Sequence, residues 1–583
     1  MLLFERIETM KKLRSSNIVA LAILLIAGIV AMVPYFTANA LHSGVDMSFH
    51  LNRIYDLSQN IKNGNYFSYI ETYANNQVGS PINMVYGALP LYPFAIMLNI
   101  FSNKIIAIYL GYLVIVWISL MISYYVGLKY WQKDKKRAIL FAVVYVLSTY
   151  NFSWMFGVFD LGQVSGYVFL PLIVYGTYSI FYRPSKEWWL LSIGMIGLIY
   201  SHMLSTLIYS FLVEVLVIVA LFTAQDFWKK IKYFLYAVVA SLLGTAFYWS
   251  TLYSVYSSNK LFITKSNGIP TADLKFGDAV LSIFNNDGSI GVLLGILLII
   301  GLILWKKQRV EAKVVAVIGI IFLLATTNVF DFAWNFINKT PLIIIQWPGR
   351  LLCVVNFFIA VFATETLFIL IFESKHKNKG YILSVIITIF VVLSNSYTFL
   401  NTHQQQPVVN YEPSVQKQLP FTDYQITSNM GFNYLVTGYN QGVGSIDYWP
   451  EISMKDENIV REIVQHIAVI DTKKVKLQPT SVTDGINYQL TTNKKDSNVD
   501  LPFLNYNSYE VQVDGRKENY FKTSRGTIGV KVSKTGRHEI KIKYVVPKVV
   551  RVSMVVSWLA VISLLLFGIV RPLFRNRKLS SSK

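Results

Sequence analysis

Charge is scarce in this chain: Asp, Glu, Lys and Arg make up 15% of its 583 residues, where a soluble domain carries roughly 25%. Acidic residues are the scarcer, 32 against 53 basic ones, which leaves a net charge of +21. Cysteine is nearly absent. Cys353 stands alone inside an apolar run, so no disulfide forms within the chain and any exposed domain must be held by its own core. The sequence has no Walker loop, dinucleotide glycine fingerprint, HExxH motif or Cys/His cluster, so ATP-driven chemistry and a zinc-finger-like metal site have no support. Internal repeats and low-complexity tracts are also missing.

What the chain has in excess is apolar sequence, 54% of the total. Runs near the ~20 residues needed to cross a bilayer recur, as at Ile18–Phe36, Ile105–Leu128, Val292–Leu304 with its flanks, and Ile382–Leu400. The basic residues fall in short clusters between such runs, at Lys11–Arg14, Lys133–Arg137, Arg183–Lys186, Lys229–Lys232, Lys306–Lys313, Lys375–Lys379 and Arg571–Lys578. They form no continuous basic face, which argues against a nucleic-acid partner and for loop charges that set orientation. With every cluster cytoplasmic, about twelve crossings result. Ile18–Phe36 leads out and Ile105–Leu128 returns. Hairpins follow at 138–153 with 163–181, 188–203 with 204–225, 233–253 with 289–305 and 314–329 with 343–372, and then come single spans at 380–400 and 548–570.

This reading places residues 37–104 in an outer loop and keeps Met84–Phe101, broken by Gly87, Pro90 and Pro93, at the interface rather than across the bilayer. It makes the protein a multi-pass plasma-membrane protein with both termini cytoplasmic. Residues 1–400 form the transmembrane domain, 401–547 an extracytoplasmic, mainly β domain, and 548–583 a last helix with a basic tail. In 401–547, Tyr509–Gly515, Gly526–Val532 and Glu539–Tyr544 alternate apolar and polar residues, with turn chemistry at Asp514-Gly515 and Thr535-Gly536. Half-buried antiparallel strands and a β-sandwich-like fold are expected there.

Candidate chemistry lies in the outer turns. As a helix, Gly44–Ile54 carries Asp46, His50 and Arg53 on neighbouring turns of one face. Asp46 can serve there as a general base beside groups that hold an anion; a solvated interfacial helix is the alternative. Arg350 enters an apolar run from Gln346-Trp-Pro-Gly-Arg350, where a phosphate or carboxylate is its natural partner, or it snorkels to head groups. Asp160 and Gln163 in one outer turn and His202 in another face the same side, either lining a shared cavity or capping helix ends. Glu365, deeper in the run that Arg350 opens, is expected to pair with a polar group on another helix.

The order of these features resembles the GT-C superfamily of polytopic glycosyltransferases, and within it the YfhO-like bacterial membrane proteins. The likeness rests on Asp46 just after the first helix, the His50-Leu-Asn-Arg53 segment, the Pro/Tyr-rich Pro81–Pro93 stretch, Asp160-Leu-Gly-Gln163 followed by Pro171, Gln346-Trp-Pro-Gly-Arg350 and the closing β domain. The resemblance implies inverting sugar transfer on the outer membrane face, from a polyprenyl-phosphate-linked donor to an envelope glycan or glycolipid such as a teichoic acid. Asp46 would be the base and Arg350 would bind the leaving phosphate. His50 and Arg53, with Asp160, Gln163 and His202, would position substrate. The resemblance allows a divalent cation but fixes no ligand for it. The chain departs from the pattern at Gln163, where an acidic residue after Arg-Gly is expected, and Asp46 has no acidic neighbour in sequence, so Asp160 is the candidate second carboxylate. A transporter or flippase using Asp160, Arg350 and Glu365, and a non-catalytic envelope assembly protein, are the competing readings.

Overall fold

The structure, a computed structural model, describes residues 2–184, 186–263, 268–269, 275–286, 288–373, 377–409, 424–437 and 446–580. The side chains of Lys11–Arg14 and Arg571–Lys578, and residues 374–376, 410–423 and 438–445, on which parts of the sequence reading fall, lie outside the described residues.

The chain begins with α1 (Leu2–Ala38), then β1 (Leu41–His42), α2 (Met47–Lys62) and the short α3 (Ile82–Val85) and α4 (Leu91–Ile100). Ten residues of α4 rise about 15 Å, half of a ~30 Å hydrocarbon core, so this helix alone is shorter than a full crossing. Helix α5 (Lys104–Tyr130) starts where the Asn103 side chain accepts from the amides of Ile105 and Ile106. Next come α6 (Lys135–Val146), α7 (Thr149–Phe152) with a π-helical turn at Ser153–Val158, α8 (Leu161–Tyr182), α9 (Trp188–Ile199) and α10 (Met203–Thr223). Helices α11 (Phe227–Gly244) and α12 (Ala246–Tyr256) follow, then α13 (Phe276–Phe284), α14 (Val292–Ile303), α15 (Val310–Ala325) and α16 (Asp331–Ile337). The last long helices of the bundle are α17 (Leu352–Glu373) and α18 (Lys377–His403).

This is a membrane protein. Among the described residues seven helices are long and apolar enough to cross a bilayer, or up to ten if each of three bent pairs counts as one span. The sequence reading of about twelve crossings differs at 188–203 and 289–305. Helices α9 and α14 there hold 12 residues each, which gives a straight rise of only about 18 Å.

At one end of the bundle the described basic loops meet. Arg183 donates to the carbonyl of Tyr130, Lys129 pairs with Glu187, and Lys230 donates to the carbonyl of Phe181. Glu365 lies buried at this end, accepting from the Trp131 indole at 2.6 Å and facing Arg137 at 3.4 Å and Arg309 at 3.6 Å. Without Glu365 the buried Trp131 indole loses its acceptor and, among the described residues, the two arginines keep only Asp134 at 3.6 Å and Glu311 at 3.8 Å as acidic partners. Glu365→Ala is therefore expected to destabilise the bundle by about 3 kcal/mol, read as a lower melting temperature of the purified protein.

After α18 the chain turns back over the opposite end through β2 (Gln425–Ile426) and α19 (Asn429–Thr437), then passes α20 (Glu457–Val464). Strands proper begin at Ile467; before them, Tyr424, Ile426 and Phe432 pack on the bundle, while Trp449, Ile463 and Val464 join the core of the strand domain. Here lie β3 (Ile467–Ile470), β4 (Lys473–Lys476), β5 (Thr480–Val482), β6 (Gly485–Thr492) and β7 (Ser497–Leu504). They are followed by β8 (Tyr509–Val513), β9 (Arg516–Glu518), β10 (Tyr520–Lys522), β11 (Thr527–Val532) and β12 (Gly536–Tyr544), and α21 (Lys548–Ser580) closes the chain.

The three alternating segments read from sequence correspond to β8, β11 and β12. They divide between two antiparallel sheets, ordered β10-β11-β7-β3-β4 and β5-β6-β12-β8-β9. Phe503, Val530 and Leu501 of one sheet and Tyr488, Val511 and Ile540 of the other share one buried core. That core continues into Tyr69, Ile70 and Val78 of the loop after α2.

Candidate functional site

Four helices, α2, α8, α10 and α17, start at the bundle end away from the basic loops, and the residues that open them meet there. Helix N-termini carry unsatisfied amides and the positive end of the helix dipole, so their convergence favours an anion. Asp160 caps α8, its carboxylate accepting the Gln163 amide at 2.9 Å. Asp46 stands at the start of α2 without making a side-chain cap bond, and its amide donates to the carbonyl of Val158 at 3.1 Å. That contact brings the first loop against the turn before Asp160, and Gly44 permits it: a Cβ there would lie 2.4 Å from the carbonyl carbon and oxygen of Val158.

Asp46, His50 and Asp160 each offer a donor atom within 4.8 Å of the other two. Asp46 is half-buried, while His50 and Asp160 are buried. Neither ring nitrogen of His50 has a hydrogen-bond partner among the described residues, an orphaned state that buried polar atoms rarely keep without a ligand. Two carboxylates and an imidazole suit a divalent cation such as Mg²⁺, Mn²⁺ or Zn²⁺. The sequence reading assigned no metal ligand, and these three residues are the set that fits one.

Burial, and then the negative charge of Asp160, push the Asp46 carboxyl up to about 7. Burial opposes ionisation of Asp160 too, but His202 in its protonated form at low pH, the permanent charge of Arg350 and protonated His50 outweigh it and hold that carboxyl below the usual range. The two acids are thus set apart by their surroundings, one ready to exchange a proton and the other fixed as an anion. Burial, with Arg53 next, pulls the His50 imidazole down to about 3. Burial likewise lowers His202 to about 4. Both rings are therefore neutral near pH 7, as a cation ligand must be.

Arg350 lies in the turn Pro348–Leu351 that leads into α17. Its guanidinium is 3.6 Å from Asp160, donates at 3.0 Å to the side-chain oxygens of both Gln163 and Gln346, and lies 5.8 Å from the centre of the Trp154 ring. Gln163 in turn donates to the Tyr150 hydroxyl at 2.6 Å. Gln163, which opens α8, thus holds the arginine of the turn before α17. His202 shares a hydrogen bond with Ser205 at 2.8 Å and packs on Tyr86. Gly162 leaves room for it, since a Cβ there would meet the His202 ring at 2.6 Å.

Six of the eight residues singled out from sequence gather here. Arg53 turns away: it is fully buried and donates to the Asn83 side chain at 3.0 Å and to the carbonyls of Tyr86 and Gly87 at 3.1 and 2.8 Å. It orders the 83–87 turn and places the Tyr86 ring, 4.7 Å from its own guanidinium, beside His50 and His202. Tyr86, Trp154 and Gln346 were not singled out. Tyr86 and Gln346 stand inside motifs quoted above, whereas Trp154 carried no local signal. Glu365 is at the other end of α17 with partners of its own and takes no part. Comparisons of the chain with protein-family models, curated proteins and solved structures gave no match.

Proposed function

We propose that this protein is a membrane glycosyltransferase that moves a sugar from a polyprenyl-phosphate-linked donor to an envelope glycan or glycolipid on the outer face of the plasma membrane. The observation that carries the reading is the meeting of Asp46, His50 and Asp160 beside Arg350 where four helices begin. A proton acceptor, an anion-binding guanidinium and a candidate cation site at the edge of a membrane bundle are what transfer from a lipid phosphate needs.

In this reading Asp46 takes the proton of the acceptor hydroxyl. The acceptor oxygen forms the new bond to the anomeric carbon as the bond from that carbon to the phosphate oxygen breaks, with inversion. Arg350 binds the phosphate as its charge grows, held in place by Gln163, Gln346 and the Trp154 ring. A divalent cation held by Asp46, His50 and Asp160 would add positive charge beside the same phosphate. The lipid chain runs into the apolar grooves between helices.

The finer architecture belongs to the same proposal. With α9 and α14 counted as short, locally accommodated spans the crossings number about twelve, the paired sheets form a β-sandwich on the outer face, and both termini are cytoplasmic. A transporter would use Asp160, Arg350 and Glu365 along one route. The distribution of partners weighs against that, since Glu365 is neutralised at the far end by Arg137 and Arg309.

The test compares the envelope glycans of a deletion strain with those of the same strain complemented by the wild type. Expected is the loss of one sugar substituent and its return, together with release of polyprenyl phosphate by the purified protein. Unchanged glycans and no release would overturn the transferase and leave transport or assembly.

A further inference from the structure

Helix α2 carries Asp46 and His50, yet the groups that hold its two ends come from the far end of the chain. Before α2, β1 pairs with β2, the Ser43 amide donates to the carbonyl of Tyr424 at 2.8 Å, and the Tyr424 amide donates to the Ser43 hydroxyl at 2.9 Å. After α2, the loop 65–80 lies between the helix and the strand domain. Asp484, in the turn between β5 and β6, accepts the amides of Tyr69 and Ile70 at 2.7 and 3.1 Å and the Asn65 side chain at 2.8 Å. Thr72 donates to the carbonyl of Val482 at 2.8 Å, Gln77 to the Ser481 hydroxyl at 2.7 Å, and the Leu504 amide to the carbonyl of Val78 at 2.9 Å.

The same loop grips α2 on its other side. Asp56, fully buried in the helix, accepts the amides of Thr72 and Tyr73 at 2.9 and 2.8 Å, the Ser68 hydroxyl at 2.5 Å and the Asn60 side chain at 2.9 Å. Buried carboxylates satisfied by several backbone amides hold geometry tightly, because each unmade bond would leave a desolvated group without a partner. An unbroken set of hydrogen bonds therefore runs from the β5–β6 turn through loop 65–80 to Asp56, nearly three helical turns from Asp46.

We propose that Asp484 is a positioning residue for the site, through which the strand domain fixes the place of α2 and so keeps Asp46 and His50 facing Asp160. This rests on the transferase reading for its kinetic consequence, but the mechanical part stands on the contacts alone. Misplacement of a reacting group by about 1 Å is enough to slow a reaction by up to a hundredfold.

The experiment uses the full-length purified protein in lipid nanodiscs, with Asp484→Ala and Asp484→Asn measured for hydrogen exchange and for transfer. In Asp484→Ala, exchange should quicken at least about tenfold in residues 65–73 and also in 47–62, with β6, β12, α5 and α8 unchanged. Transfer should lose about tenfold in kcat with KM for the donor held within about twofold. Asp484→Asn keeps an oxygen for the two amides and should recover part of both effects. Unchanged exchange in 47–62 while 65–73 loosens would overturn the proposal, as would a fall in KM-dependent binding with kcat intact. If Asp484→Ala does not fold, Thr72→Val and Gln77→Ala each remove one bond between loop and domain, and the same pattern at smaller size is required of them. A wild type without transfer activity would sink the functional reading, while the exchange data would still decide whether the strand domain holds α2.

Discussion

Asp46→Asn should reach the membrane, fold, and transfer sugar about a thousandfold more slowly than the wild type, within the range that loss of a general base produces. Asparagine keeps the size of the side chain and is itself a good residue at a helix start. Helix α2 loses no cap bond, because Asp46 makes none through its side chain. The change also removes the repulsion between Asp46 and Asp160 that helps to raise the Asp46 carboxyl, so stability should hold or improve slightly. What disappears is the proton acceptor and one of three donors around the candidate cation position. Single-turnover transfer by purified protein, beside a melting curve, separates these effects. Transfer within tenfold of wild type in a folded variant would remove Asp46 from the base role. Weaker Mn²⁺ binding by the variant, measured without substrate, would tie it to the cation in addition.

Arg350→Ala should cost about a hundredfold to a thousandfold in kcat, the usual scale when a donor to a developing anion is removed. Arg350→Lys should recover little. The guanidinium is held flat by donation to Gln163 and Gln346 and by the Trp154 ring, while its Nε has no partner among the described residues. A planar group so arranged presents a fixed edge to a phosphate, whereas an ammonium on a flexible stem cannot reproduce that fork. Loss of Arg350 also leaves Asp160 without its nearest fixed cation, and burial would then push that carboxyl up. The measurement is kcat and KM for the lipid donor in all three forms. A rise in KM with kcat preserved would mean that Arg350 holds the ground state only.

Much of the membrane architecture was legible because its signals are local. Apolar runs of sufficient length, Gly and Pro breaks near 84–101, and alternation in 509–544 are each written within a few neighbouring residues, and the corresponding helices and strands form. Alternation could not say that β8 and β12 share a sheet while β11 belongs to the other, because register partners lie far away in sequence. Apolar length alone could not say that α9 and α14 hold only 12 residues each.

The site was legible as a list of residues, since ionisable groups beside apolar runs are costly and few. Its assembly was not. The meeting of Asp46 with Asp160 depends on Gly44 lying against Val158, a contact that neither segment announces. Spacing placed Arg53 on a helix face but not its direction, and three acceptors from the 83–87 turn claim it. The return of residues 424–437 over the bundle was hidden inside the stretch 401–547, read from sequence as a mainly β domain.

The pairing of Ser43 with Tyr424 joins residues 381 positions apart, and Asp484 receives the Tyr69 amide across 415. At ribosomal speeds of about 5–20 residues per second, roughly 20–80 s separate the synthesis of the first loop from that of the segments that brace it. A nascent chain therefore carries Asp46 and His50 for most of its synthesis without the frame that aligns them. A chain that stops anywhere before the strand domain should therefore contain α2 without the bonds that hold its loop 65–80 to that domain.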